Sequence, residues 1–288
     1  KELGMITDAC WLDADGDRDL DLAVAGEWMP VVLFTNKNGR FTKSELTPPG
    51  WWNCLEVSDL NADGKPDLVA GNHGLNSRFR ASEEKPVTCH VNDFDKNGTV
   101  EQILCQFNSE KSYPMALRHD LVSQMPWLKK KYLKYASYKE QTFEDIFTPE
   151  QRQGTLTLEA KRLETSVLMN LGGGKFEVAA LPQAAQFSPV YAILPGDFDG
   201  DGKPDLLLGG NLFNVKPEAG RYDASYGCFL KGKGDGQFEA LPMQRSGLHV
   251  EGEVRDFAVL KKGNERLVVV ARNDDVPVVF QVKSNKLQ

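Results

Sequence analysis

The sequence predicts an all-β fold, a β-propeller of four-stranded blades, and three observations carry that expectation. One pattern (apolar strand, acidic loop, apolar strand) occurs four times, at 9–26, 55–72, 89–104 and 192–211. A Gly/Asn turn between β-rich runs recurs downstream, in "TNKNGRF" (35–41), "NLGGGKF" (170–176) and "KGKGDGQF" (231–238), as hairpins require. The tail repeats the strand pair of the head without the acids: "LAVAGEWMPVVLF" (22–34) aligns with "VVVARNDDVPVVF" (268–280), Pro30 on Pro277. Units of four short strands repeated along a chain are the signature of propeller blades.

The expected repeats run 6–48, 52–108 with 158–182 completing a blade, 187–243 and 252–284. Blade number is four or five, because the acidic loops begin 46, 34 and 104 residues apart. The third copy is either a blade of its own or a hairpin inserted in the second. The last copy lacks a fourth strand, so the ring is open or truncated. Residues 115–150 break the β pattern with helical spacing and read as a helical insertion, Pro126 opening one helix and Thr142 with Asp145 capping another. Its lysines (129, 130, 131, 134, 139) fit either a solvated face or an acidic partner.

Each acidic loop places oxygen-bearing side chains at positions 1, 3, 5 and 9: Asp13-Asp15-Asp17-Asp21, Asp59-Asn61-Asp63-Asp67, Asp93-Asp95-Asn97-Glu101 and Asp197-Asp199-Asp201-Asp205. Position 7 (Asp19, Lys65, Thr99, Lys203) varies freely, as a backbone-carbonyl ligand allows. Oxygen-only donors on a tight turn suit Ca²⁺, at up to four sites; Zn²⁺ would want Cys or His, and Mg²⁺ tolerates fewer protein ligands. An EF-hand would need Glu at position 12, where Val24, Ala70, Leu104 and Leu208 stand. These sets hold about a third of the 41 acids, and four Ca²⁺ would roughly cancel the net charge of −7. Without a cation each like-charged pair costs on the order of 1 kcal/mol.

These loops, above all "DFDGDGKPDLLLGGN" (197–211) and "DLNADGKPDLVAGN" (59–72), resemble the FG-GAP/VCBS repeats of integrin α-subunit propellers and of bacterial extracellular proteins. The wider chain, with "VNDFDKNGTVEQI" and "GRYDASYG", is similar to a bacterial group related to cartilage acidic protein. The resemblance implies adhesion or ligand recognition rather than catalysis. It also implies an extracellular, cell-surface or periplasmic location, where calcium is plentiful.

If the calcium loops join strands 1 and 2, the loops joining strands 2 and 3 emerge at the opposite end. There Trp28, His73, Arg78, Asn211, Arg221 and Tyr222, with Trp51 and Trp52 from a blade connection, offer the stacking surfaces and fixed donors that a glycan or protein ligand needs. The alternative is that the tryptophans pack between blades and the arginines bridge loops. No phosphate-binding Gly loop or GxSxG elbow is present, and the four His lack triad or metal spacing. A calcium-dependent polysaccharide lyase using a pocket Arg or His is the leading enzymatic alternative; a purely structural module of a larger surface protein is another.

The negative charge argues against a nucleic-acid partner, and no apolar run of 18 residues is present. The chain opens on Lys1 and reads as a mature product or a piece of a longer surface protein. The five cysteines do not form a disulfide framework. Cys89 and Cys105 lie eight residues either side of Asn97 and either face each other across a hairpin or are two buried thiols.

Overall fold

The computed structural model describes residues 3–217, 220–263 and 265–283. The chain divides into two compact units: the residues up to Arg78 together with those from Leu163, and Phe79–Arg162 between them.

The first unit opens with an antiparallel sheet ordered β1-β2-β3-β4: β1 Met5–Leu12, β2 Asp21–Met29, β3 Val32–Lys37 and β4 Arg40–Glu45. A short β5 (Gly50–Trp51) pairs with the far end of β2. Central β2 is buried along nearly its whole length, whereas edge strand β4, RFTKSE, is exposed throughout. That gradient is what a blade needs: apolar faces inside, a charged outer edge that resists further pairing.

The second blade begins with β6 (Cys54–Ser58) and β7 (Asp67–Gly71), after which the chain enters the other unit. That unit holds β8 (Val87–Asn92), β9 (Glu101–Asn108), β10 (Lys111–Pro114) and β11 (Leu156–Ala160), ordered β10-β9-β8-β11. Its helices are short: α1 Arg118–Gln124, α2 Leu128–Lys131 and α3 Phe143–Ile146. Thr142 and Asp145 cap α3 reciprocally, Asp145 N donating to Thr142 Oγ1 (3.3 Å) and Thr142 N to Asp145 Oδ2 (3.0 Å). The apolar faces of these helices pack with Phe94, Ile103 and Cys105 into one core. Lys131, though exposed, is tied down: its ammonium donates to the carbonyls of Asp145 and Ile146 at the end of α3.

The chain returns as β12 (Ser166–Gly172) and β13 (Lys175–Ala180), and the second blade is ordered β13-β12-β7-β6. Its two halves are thus 54–71 and 166–180. The third acidic copy lies in the inserted unit's own sheet, with 156–160 as that sheet's edge strand rather than part of the second blade. The third blade is β14 (Val190–Gly196), β15 (Asp205–Gly210), β16 (Cys228–Gly232) and β17 (Phe238–Leu241), followed by α4 (Met243–Ser246). The last sheet has three strands among the described residues: β18 (Glu253–Lys262), β19 (Glu265–Asn273) and β20 (Val278–Val282). Residue 284, the expected end of the final repeat, lies outside the described residues.

Inner strands β1, β6, β14 and β18 neighbour one another in that order, so the four sheets succeed one another as blades do. Apolar layers fill the joints. Leu12, Ala23, Ala25 and Leu33 of the first blade meet Leu55, Leu68 and Ala70 of the second. Val69 and Val167 meet Ile193, Leu206 and Phe238. Leu207 and Phe229 meet Val254, Phe257 and Val268. At the last joint a Cβ on Gly209 would lie 2.4 Å from Val254 Cγ1, so only glycine lets the sheets seat.

Trp52 corrects an expectation. It has no exposed surface and sits in the joint between the first two blades, not on a ligand face. Neighbouring residues of extended chain point opposite ways, so Trp51 turns outward as Trp52 turns in. Burying an indole of roughly 200 Å² stabilises that joint by about 5 kcal/mol.

Of the two cysteine alternatives the structure has the buried thiols, Cys89 and Cys105 both lying in the core. Cys89 pairs with Leu104 and Thr88 with Cys105, one residue off the symmetric register, which turns the two thiols to opposite faces of the sheet. All five cysteines are free thiols.

Candidate functional site

All four acidic loops fold alike. Their positions 4 and 6 have positive φ: Gly16 and Arg18, Ala62 and Gly64, Lys96 and Gly98, Gly200 and Gly202. The position-1 carboxylate drives this turn by accepting from two backbone amides. In the first loop Asp13 takes Gly16 N (2.9 Å) and Arg18 N (3.0 Å); in the fourth, Asp197 takes Gly200 N (2.7 Å) and Gly202 N (3.0 Å). Asp59 and Asp93 accept in the same way from Asp63 and Gly64, and from Asn97 and Gly98. The side chains at positions 3 (Asp15, Asn61, Asp95, Asp199) and 5 (Asp17, Asp63, Asn97, Asp201) each accept from the amide two residues on. Their remaining lone pairs are left over for a cation, apart from those of Asp63, bonded to Lys65, and of Asp199 and Asp201, paired with Lys231.

The position-9 acid has a second task that the spacing did not reveal. Asp21, Asp67 and Asp205 are fully buried, and both oxygens of each accept from backbone. One binds the position-2 amide of its own loop: Ala14 N at 2.8 Å, Leu60 N at 2.9 Å, Phe198 N at 2.9 Å. The other binds the end of the third strand: Asn36 N at 2.7 Å, Asn170 N at 2.7 Å, Gly232 N at 2.9 Å. Glu101 makes the first bond, to Phe94 N at 3.0 Å. Burial pushes the carboxyls of Asp67, Glu101 and Asp205 above their ordinary range, while those amide bonds pull the other way.

Asp13, Asp15 and Asp17 bring carboxylate oxygens within 4.8 Å of one another, as do Asp93, Asp95 and Glu101, and Asp197, Asp199 and Asp205. Oxygen-only donors this dense fit a hard divalent cation such as Ca²⁺, which would offset the clustered negative charge. The loops are not equivalent. The second has Asn61 in place of one acid, and its Asp63 is held below the usual range by the Lys65 ammonium 2.9 Å away. Of the position-7 side chains, Asp19 reaches across to accept from Asn38 N at 2.9 Å.

Sequence reasoning missed two ties from loops to neighbouring blades. Asn170 Nδ2 donates to Ala14 O at 3.0 Å, and Arg266 Nη1 to Asp197 O at 2.8 Å with its guanidinium over Phe198. No spacing rule links residues so far apart in sequence.

At the other end of the strands, on the order of 25 Å along β2, the structure brings four of the expected ligand residues into one row. Trp28 and Trp51 meet edge to face with centroids 5.1 Å apart, Trp51 and His73 at 5.0 Å, His73 and Tyr222 at 4.8 Å. These rings come from the first three blades. Trp28 reaches its place because it is the extra residue of a bulge, between the pairs Glu27↔Trp51 and Met29↔Gly50, with φ of 61°. His73 is the buried member, and burial lowers its pKa to about 4, so the ring is a neutral packing element at physiological pH. Trp28, Trp51 and Tyr222 keep partly open faces.

Asn211 is not part of this surface. It is buried at φ of 81°, its amide donating to Ser225 O (2.7 Å) and Gly252 O (2.8 Å), so it braces the loop. Arg221 lies exposed over Phe213 at 5.1 Å, and Arg78 is exposed with its charge felt at Tyr222.

With fold and loops described, comparison with known proteins is direct. Residues 13–70 match the model of the FG-GAP-like repeat, and residues 189–226 that of the FG-GAP repeat. The chain carries FG-GAP repeats and is all-β with propeller-like blades. No curated protein matches it. Among solved structures, the V. cholerae biofilm matrix protein Bap1 is similar over 92% of this chain at 10% identity, with a TM-score of 0.31. This chain spans 60% of that one. BBS1N in complex with ARL6DN is similar over 97% of this chain and 80% of its own, at 11% identity and a TM-score of 0.26. Among the described residues no helix is long and apolar enough to cross a membrane.

Proposed function

We propose that the chain is an extracellular or periplasmic recognition module whose acidic loops hold structural Ca²⁺ and whose aromatic row binds a glycan or protein ligand. The row of Trp28, Trp51, His73 and Tyr222 carries this reading. Three blades contribute loops to one rigid strip of rings, and partly open indole and phenol faces are what sugar rings or apolar side chains stack on. Its distance from the acidic loops separates the two roles: metal at one end fixes the turns, ligand at the other is recognised. The buried neutral His73 and the bonded Asn211 brace the strip, which favours binding over chemistry.

The test is a glycan-array and pull-down screen with and without calcium, on wild type, W28G and Y222A. Glycine suits the bulge backbone at residue 28, so W28G removes the ring without straining the fold. Ligand capture is expected to fall at least about tenfold in both variants. Capture unchanged in both refutes the choice of face, and a melting temperature indifferent to EDTA refutes the calcium.

A further inference from the structure

One residue sets the fourth loop apart. In the first three blades the third-strand residue opposite the position-9 acid is Thr35, Met169 and Lys231, as the pairs Leu22↔Phe34, Leu68↔Leu168 and Leu206↔Leu230 fix. Only the third blade places a cation there. Lys231 Nζ hydrogen-bonds Asp199, whose side chain is 2% exposed, and lies 3.0 Å from Asp201 Oδ2. The strand is pressed against the loop at this point, for a Cβ on Gly232 would lie 1.9 Å from Pro204 O. By contrast, Lys37 stands 3.8 Å from Asp15 and is 71% exposed.

Asp199 and Asp201 are the position-3 and position-5 carboxylates, the groups a divalent ion in this loop needs. We infer that Lys231 is a built-in counter-cation of loop 197–205, which orders that loop without metal and competes with Ca²⁺ for Asp199 and Asp201. This rests on the calcium reading of the loops and makes them a graded set. Loop 13–21, with three convergent acids and only the exposed Lys37 nearby, fills before loop 197–205, which keeps its shape when calcium is scarce.

The test compares wild type with K231M, which installs the residue the second blade carries at this place, and with K233M, an exposed lysine two residues further along the chain. Calcium binding is measured by isothermal titration, and thermal unfolding in EDTA and in calcium. In K231M one site is expected to bind Ca²⁺ at least about tenfold tighter. Its melting temperature should fall in EDTA and recover in calcium, with K233M like wild type throughout. A K231M isotherm superimposable on that of a calcium-binding wild type overturns the competition and leaves the calcium reading standing. No calcium binding by either protein overturns both. A K231M melt in EDTA equal to wild type overturns the counter-cation role.

Discussion

Asp67→Ala asks whether the position-9 acid is a strut or only a metal ligand. The substitution removes one carboxylate and orphans two amides, Leu60 N and Asn170 N, now bound at 2.9 and 2.7 Å. Both residues are at most 3% exposed, so water cannot take over. Each abandoned buried donor costs about 1–3 kcal/mol, which puts the loss near 4 kcal/mol. Relief of the buried charge trims this, because burial already disfavours the ionised carboxyl. Asp67→Asn keeps one acceptor and should lose about half as much.

The assay is urea unfolding in EDTA, followed by tryptophan fluorescence in a W127F background, so that the signal comes from Trp11, Trp28, Trp51 and Trp52 of the first unit. With a urea slope of about 1–3 kcal/mol per molar, the midpoint should fall by about 1–4 M. Asp63→Ala, in the same loop but solvent-exposed at its carboxylate, should change little in EDTA. A residue that serves only as a ligand loses stability only when calcium is present. Asp67→Ala within about 0.5 kcal/mol of wild type in EDTA refutes the strut.

Two further outcomes follow from buried groups. Burial, with Asp8 and Asp256 adding, pushes Glu56 up to about 7 from its ordinary 4.5. Between those values the native state keeps a proton the unfolded chain has released, so stability falls as pH rises, with the full penalty above pH about 7 and none below about 4.5. Glu56→Gln should therefore exceed wild type by about 1–3 kcal/mol at pH 8 and show no advantage at pH 4; equal melts at both pH values in EDTA would refute this. Burial also raises the thiols of Cys10, Cys105 and Cys228 to about 12. A thiol reagent should react slowly with the native protein and count five thiols in urea without reductant; a count of three would reveal a Cys89–Cys105 bond.

The loops were legible in the sequence because each is a local device: a position-1 acid and positive-φ residues at positions 4 and 6 make the turn wherever it occurs. Blade count was less so, since nothing local tells 156–160 that its partner is β8 or 166–172 that its partner is β7. The Trp51–Trp52 pair announced one outward and one inward indole without saying which. Trp28 was found for its chemistry, but its bulge, which aims it, has no sequence signal in "GEWMP". Which of the two cysteine alternatives holds turns on one step of register, which sets the thiols back to back rather than facing. Asn170 and Arg266, which tie loops to neighbouring blades, act across 69 to 156 residues of chain.

The second blade carries a cost in biosynthesis. Gly74 N bonds Leu163 O at 2.8 Å and Asn72 N bonds Thr165 Oγ1 at 3.0 Å, so the chain leaves and re-enters at one point. During synthesis, however, β7 emerges long before its partner β12. Its DLVAG, buried at every residue in the finished protein, waits as an open edge until residues 79–162 have been made. At about 5–20 residues per second that is several seconds of exposure, and an unpaired apolar edge is where chains meet wrongly. Prompt folding of the inserted unit would bring Leu163–Gly172 within reach of that edge and shorten the hazard.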